Sequence, residues 1–79
     1  MRDERYVLAI DMGSSSVKAT LVSRQGELAG TGLRNLDILL LPGGGAEQDP
    51  EQWWNQAIAA AQSALAGAAI PPERIVAVA

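Results

Sequence analysis

The chain has 79 residues, a net charge of −3 and neither cysteine nor histidine, which bounds it to one domain at most and excludes disulfide staples, a cysteine-based metal site and the commonest general base. No basic cluster marks a nucleic-acid footprint. The mixed-charge start, Met1-Arg2-Asp3-Glu4-Arg5, leads into a run of five apolar residues, too short for a signal peptide or a membrane span, so the expectation is a cytoplasmic protein.

Residues 6–10, Tyr6-Val7-Leu8-Ala9-Ile10, are continuously apolar and predict a strand covered on both faces. Residues 17–23 alternate: Val17, Ala19 and Leu21 point one way, Lys18, Thr20 and Val22 the other. Gln25-Gly26 is a turn signal. A third strand is expected from about Glu27 to Leu33, weakened by Gly30 and Gly32. Residues 34–48 read as a loop, in which Pro42-Gly43-Gly44-Gly45 stops regular structure. Asp49 is then a good helix N-cap, with Pro50 at the first helical position and Gln52 three residues after the cap to complete a capping box. The helix is expected from Pro50 to about Ala66, with Gly67 as its stop. Trp54, Ala57, Ile58, Ala61, Leu65 and Ala68 share one face at helical spacing. Pro71-Pro72-Glu73-Arg74 breaks the chain, and Ile75-Val76-Ala77-Val78-Ala79 reads as a fourth strand.

The expected order is β-β-β-α-β, an α/β fold with a three-stranded antiparallel meander and a fourth strand parallel to the first. The first and fourth strands are apolar on both faces, yet one helix covers only one face of a sheet. The other face and the last strand's edge call for covering material, from a longer protein or from a partner chain.

The chemistry concentrates in Ile10-Asp11-Met12-Gly13-Ser14-Ser15-Ser16-Val17-Lys18. Successive backbone N–H groups in a glycine-containing turn make an anion-binding nest. Gly13 permits positive φ and close approach of a phosphate; Ser14, Ser15 and Ser16 carry hydroxyl donors, and Lys18 a positive charge. Asp11 is negative and belongs in such a site only with a divalent cation between, as Mg²⁺ binds through one or two carboxylates, waters and substrate phosphates. A polar glycine–serine turn is also what any hairpin uses, and Lys18 reads equally as an exposed strand lysine. The turn is neither a Walker A loop nor a dinucleotide fingerprint, because the glycine–lysine spacing is absent and a strand follows it.

Ala9 to Lys18 resembles the first phosphate motif of the actin-like ATPase superfamily, in the form found in FGGY carbohydrate kinases. Ala46-Glu47-Gln48-Asp49-Pro50-Glu51-Gln52-Trp53-Trp54 is similar to the segment these kinases carry before their first long helix, in the version of xylulokinase and its close relatives. The resemblance spans nearly the whole chain. It implies the start of an actin-like ATPase (ribonuclease H-like) domain, 1–79 being a partial N-terminal kinase domain, and ATP-dependent phosphorylation of a sugar or polyol hydroxyl. It also implies that Asp11 helps hold Mg²⁺ through water, that Gly13, Ser14, Ser15 and Ser16 contact nucleotide phosphates, and that Lys18 neutralises transferred charge. Ser14 stands where the family more often has threonine; the hydroxyl is kept. The catalytic base, an aspartate in these kinases, lies beyond residue 79, so the 79-residue chain alone is expected to be inactive.

Other residues carry plainer expectations. Asp49 reads as an N-cap rather than a catalytic carboxylate, Trp54 as core, Trp53 as half exposed, and Asp37 as a loop carboxylate with no special role. Glu47 has an open role, and Leu39-Leu40-Leu41 reads as packing surface. The competing functional reading is a non-catalytic actin-like interaction module that needs a partner to cover its sheet.

Overall fold

The computed structural model describes residues 5–79; the charged lead, residues 1–4, lies outside them. Strands β1 (Tyr6–Met12), β2 (Ser16–Ser23) and β3 (Leu28–Asn35) form the antiparallel meander, and β6 (Ile75–Val78) adds to β1 in parallel. The sheet order is β3-β2-β1-β6. Helix α1 (Pro50–Ala68) packs across β3 and β2, barely reaching β1. A minimal hairpin, β4 (Leu39–Leu40) with β5 (Ala46–Glu47), interrupts the stretch expected to be loop. No helix among the described residues is long and apolar enough to cross a membrane.

The alternation in β2 sets the core. Val17, Ala19 and Leu21 are fully buried beneath α1, while Lys18 is exposed on the opposite face. Leu8 joins them through its pairing with Leu21, and Leu36, just after β3, belongs to the same core. Burying a side chain such as Leu21 stabilises the fold by about 1.5–3 kcal/mol. The turn after β2 closes as expected. Gly26 takes φ 86°, and the buried Ser23 hydroxyl accepts the Glu27 N–H at 3.0 Å.

The helix face is in part the one expected: Ala57 is buried and Ala61, Leu65 and Ala68 pack against the core, whereas the largest side chain of that face turns outward. Its buried residues are Ala57, Ala60 and Ala64, and Trp54 is 68% exposed with Ile58 also outward. Trp53, not Trp54, packs against the core. The cause lies in β3. A Cβ built on Gly32 would stand 2.0 Å from the Ala60 carbonyl oxygen, and one on Gly30 2.4 Å from that of Ala64. The helix backbone therefore rests directly on the strand backbone, and the helix residues at the contact, Ala60, Ser63, Ala64 and Ala68, are small. The two glycines expected to weaken the strand are the seat of the helix. Replacing Trp54 by Ser is expected to change stability by less than about 0.5 kcal/mol, whereas Trp53→Ala should cost about 3 kcal/mol. Urea unfolding of both variants checks the difference.

Both helix ends also depart from expectation. Asp49 is the N-cap, and its Oδ1 accepts the Glu51 N–H at 2.9 Å. Gln52, however, does not complete a capping box. It turns to Asp37, accepting that residue's N–H at 2.9 Å and donating Nε2 to Asp37 Oδ2 at 2.8 Å. Asp37 is therefore more than a loop carboxylate, because it ties the chain leaving β3 to the first turn of α1. Gln56 continues the seam by donating to the Asn35 carbonyl at 2.9 Å. At the other end the helix passes through Gly67 and closes at Ala69, which takes φ 55° and directs its N–H to the Ala66 and Leu65 carbonyls. A left-handed alanine costs roughly 1 kcal/mol that a glycine there would avoid.

Candidate phosphate-binding turn

The register of β1 on β2 builds the site. Asp11 pairs with Lys18, and both are exposed. Side chains alternate along each strand. Leu8 and Ala19 belong to the core under α1, so Asp11 and Lys18 lie together on the other face, with Val7, Ala9, Thr20 and Val22. Carboxylate and ammonium thus flank the mouth of the same turn, on the same side of the sheet.

Residues 13–15 make the turn, which is held from three sides. The Gly13 N–H donates to the Ser16 carbonyl at 2.9 Å, and the Leu36 N–H donates to the Ser15 carbonyl at 2.8 Å. The Gln48 carboxamide, from the junction of β5 and α1, donates to the Ser14 carbonyl. The carbonyls are therefore engaged by the protein. Among the described residues the N–H groups of Ser14 and Ser15 have no acceptor, and both residues are exposed with Gly13. Free, adjacent N–H donors with their carbonyls tied back are the arrangement an anion nest requires.

The expectation for Gly13 needs correction in one respect. Its φ is not positive; only Gly26, Gly43 and Gly44 among the glycines take that region. A Cβ at Gly13 would meet the Ser16 carbonyl oxygen at 3.4 Å, close to ordinary contact. The fold does not demand glycine here, so what its missing side chain contributes is open space over the turn. Ser16 lies within β2, paired with Asn35, and stands apart from the free donors of Ser14 and Ser15.

Beside the turn is a cavity of about 280 Å³ lined by Ser14, Ile38, Ala46, Glu47, Gln48 and Trp53. Composition alone gives Glu47 no role; the hairpin brings it, exposed, to the cavity beside Ser14. The indole Nε1 of Trp53 is buried with no hydrogen-bond partner. Leu39 and Leu40 are exposed. Among the described residues no three acidic or other metal-binding side chains converge.

The residues present fit a magnesium–phosphate group. Two free N–H donors and the seryl side chains suit phosphate oxygens. One carboxylate suits a cation whose remaining ligands are waters and phosphate oxygens.

Comparisons with known proteins give the family. The model of the FGGY family of carbohydrate kinases, N-terminal domain, matches residues 6–79. The chain is 33% identical over 72 residues to "Glycerol kinase 5" of Xenopus laevis, covering 91% of this chain and 15% of that protein. It is 34% identical over 77 residues to "Glycerol kinase" of Dechloromonas aromatica, covering 98% of this chain and 15% of that protein. To "Xylulose kinase" of Klebsiella pneumoniae it is 43% identical over 47 residues, covering 60% of this chain and 10% of that protein. The chain spans about 15% of the length of the glycerol kinases it matches. From the turn, the sheet order and the matched span together, this chain belongs to the FGGY family of carbohydrate kinases.

Proposed function

We propose that the chain supplies the first phosphate- and Mg²⁺-binding loop of an ATP-dependent kinase that phosphorylates a sugar or polyol hydroxyl. The observation that carries the reading is the pair of free Ser14 and Ser15 N–H groups flanked, on one face of the sheet, by Asp11 and Lys18. MgATP, when bound, is the source of the phosphoryl group. On this chain Gly13, Ser14 and Ser15 would hold its phosphates, with Ser16 at the edge of that set. Asp11 would hold the cation through water. Lys18 would offset negative charge during transfer, as phosphoryl transfer depends on positioning and charge stabilisation. None of these residues is a general base, and the reading places that aspartate on residues outside these 79.

The acceptor is a sugar or polyol. Xylulose, from the form of the Asp49-Pro50 segment, and glycerol, from the names of the relatives, are the first two to assay. A cytoplasmic site of action accords with dependence on ATP. Residues 1–79 form the first part of the kinase's N-terminal domain on this reading, and further chain covers the sheet. The exposed Leu28, Leu33, Val76 and Val78 support such a cover; they also favour the second reading, an interaction module covered by a partner.

The test is acceptor-dependent ADP formation by the extended reading frame that contains residues 1–79. Turnover with a sugar or polyol is expected there, and none from the 79-residue chain itself. Full-length protein without phosphoryl transfer to any of a panel of sugars and polyols would favour the interaction module.

A further inference from the structure

The Gln48 carboxamide lies 34 positions along the chain from Ser14 and donates to its carbonyl. Gln48 is half-buried and directly precedes the N-cap Asp49, so its backbone is fixed by the start of α1. The Ser14 carbonyl and the Ser15 N–H belong to one planar trans peptide and point in opposite directions. Whatever holds the carbonyl therefore aims the N–H. With the carbonyl turned toward the helix start, the Ser15 N–H is turned away from it, and that N–H has no acceptor among the described residues. The neighbouring peptide is set in the same way, by the Leu36 N–H on the Ser15 carbonyl at 2.8 Å. Two contacts from distant segments fix two successive peptide planes of the turn, and a three-residue turn has few other restraints.

We propose that Gln48 is a positioning residue for phosphate binding: its side chain fixes the Ser14–Ser15 peptide plane and so aims the Ser15 N–H at an incoming phosphate. The inference rests on the kinase reading only for the identity of the anion. Its geometric half stands without it. Gln48 also lines the cavity with Glu47 and Trp53, so it links that cavity mechanically to the turn.

The variant Gln48→Met keeps the side chain's length and removes the donor. Gln48→Glu keeps the shape and presents an acceptor to the Ser14 carbonyl. Both are studied first in the extended reading frame that contains residues 1–79, by ¹⁵N–¹H correlation spectra. The expected result is a displaced Ser15 amide resonance in both variants, with those of Tyr6 to Ile10 unmoved. Magnesium tripolyphosphate and MgATP are then titrated, and the expected loss of affinity is about threefold to tenfold, the effect of one hydrogen bond. In the extended kinase the KM for ATP should rise by a similar factor while the KM for the acceptor stays within about twofold. An unmoved Ser15 amide in Gln48→Met overturns the proposal. A rise in acceptor KM alone also overturns it, and assigns Gln48 to acceptor binding. A displaced Ser15 amide in an extended protein whose wild type binds neither magnesium tripolyphosphate nor MgATP upholds the positioning and overturns the kinase reading instead. Should Gln48→Met fail to fold, the Gln48→Glu spectrum decides by the same criterion.

Discussion

Gly32→Ala is expected to destabilise the chain by about 3 kcal/mol, far beyond what one methyl group ordinarily does, lowering its melting temperature by about 15 °C. The added carbon would stand 2.0 Å from the Ala60 carbonyl oxygen and 2.9 Å from both the Ala60 carbonyl carbon and Ser63 Cβ. Two of these three neighbours are backbone, so no rotamer change relieves the clash. The helix must lift, and lifting it opens space above Val17, Ala19 and Leu21, the fully buried centre of the core. Chains of this size have roughly 4–12 kcal/mol of total stability, so the loss takes a large share. Gly67→Ala is the control. That glycine lies within α1 with nothing within 4 Å of the added carbon, and alanine there should stabilise by about 0.5–1 kcal/mol. Urea denaturation of the pair gives opposite signs if the helix rests on β3 as described. A Gly32→Ala variant within about 0.5 kcal/mol of the parent would show that it does not.

The same contact explains what was legible in the sequence. The strands of the meander were readable because Val17, Ala19 and Leu21 alternate with polar or exposed neighbours over a full eight-residue strand. The helix start was readable because Asp49-Pro50 is a local signal, and the structure keeps Asp49 as the cap. The buried stripe was legible only in part: Ala57, Ala61, Leu65 and Ala68 keep to it, but Ala60 and Ala64 at its centre are alanines with little hydrophobic contrast. Trp54 and Ile58 dominate the pattern, yet the deciding feature is a pair of glycines on another element. Gln52 shows the same limit. At its position the reciprocal cap and the Asp37 clamp are both available, and only the course of the chain after β3 brings Asp37 within reach. A hairpin of two residues per strand, as in β4 and β5, is too short to carry any period.

In the site, the residue types were legible and the third dimension was not. Asp11 and Lys18 stand out as an acid and a base around a turn, and the register of β1 on β2 adds that they share a face. The Ser14 carbonyl, in one peptide with the Ser15 N–H, is held by Gln48, and the Ser15 carbonyl by Leu36, whose approach no local pattern announces. Gly13 suggests a positive φ that it does not adopt. What its missing side chain leaves at the turn is open space, which the fold itself does not require.

Asp11→Asn is expected to reduce acceptor-dependent ADP formation by the extended kinase by about 10²-fold or more while leaving the fold intact. Asp11 is exposed and faces Lys18 across the strand pair, so an isosteric amide should change stability by less than about 0.5 kcal/mol. The functional loss has a different origin. A carboxylate beside two free N–H donors repels a phosphate unless a cation stands between, and the cation reverses the sign of that interaction. The amide has no net charge with which to hold the cation's water shell. Charge stabilisation of this kind, lost from one group, typically costs about 10²–10³ in rate. Two readouts separate this account from a merely structural one. The Mg²⁺ concentration giving half-maximal rate should rise in Asp11→Asn, because the defect is in holding the cation. Lys18→Met, its cross-strand neighbour, should instead raise the KM for ATP with that Mg²⁺ dependence unchanged. Full activity in Asp11→Asn would remove Asp11 from the site. Lost activity with an unchanged Mg²⁺ dependence would leave it there in a role other than holding the cation.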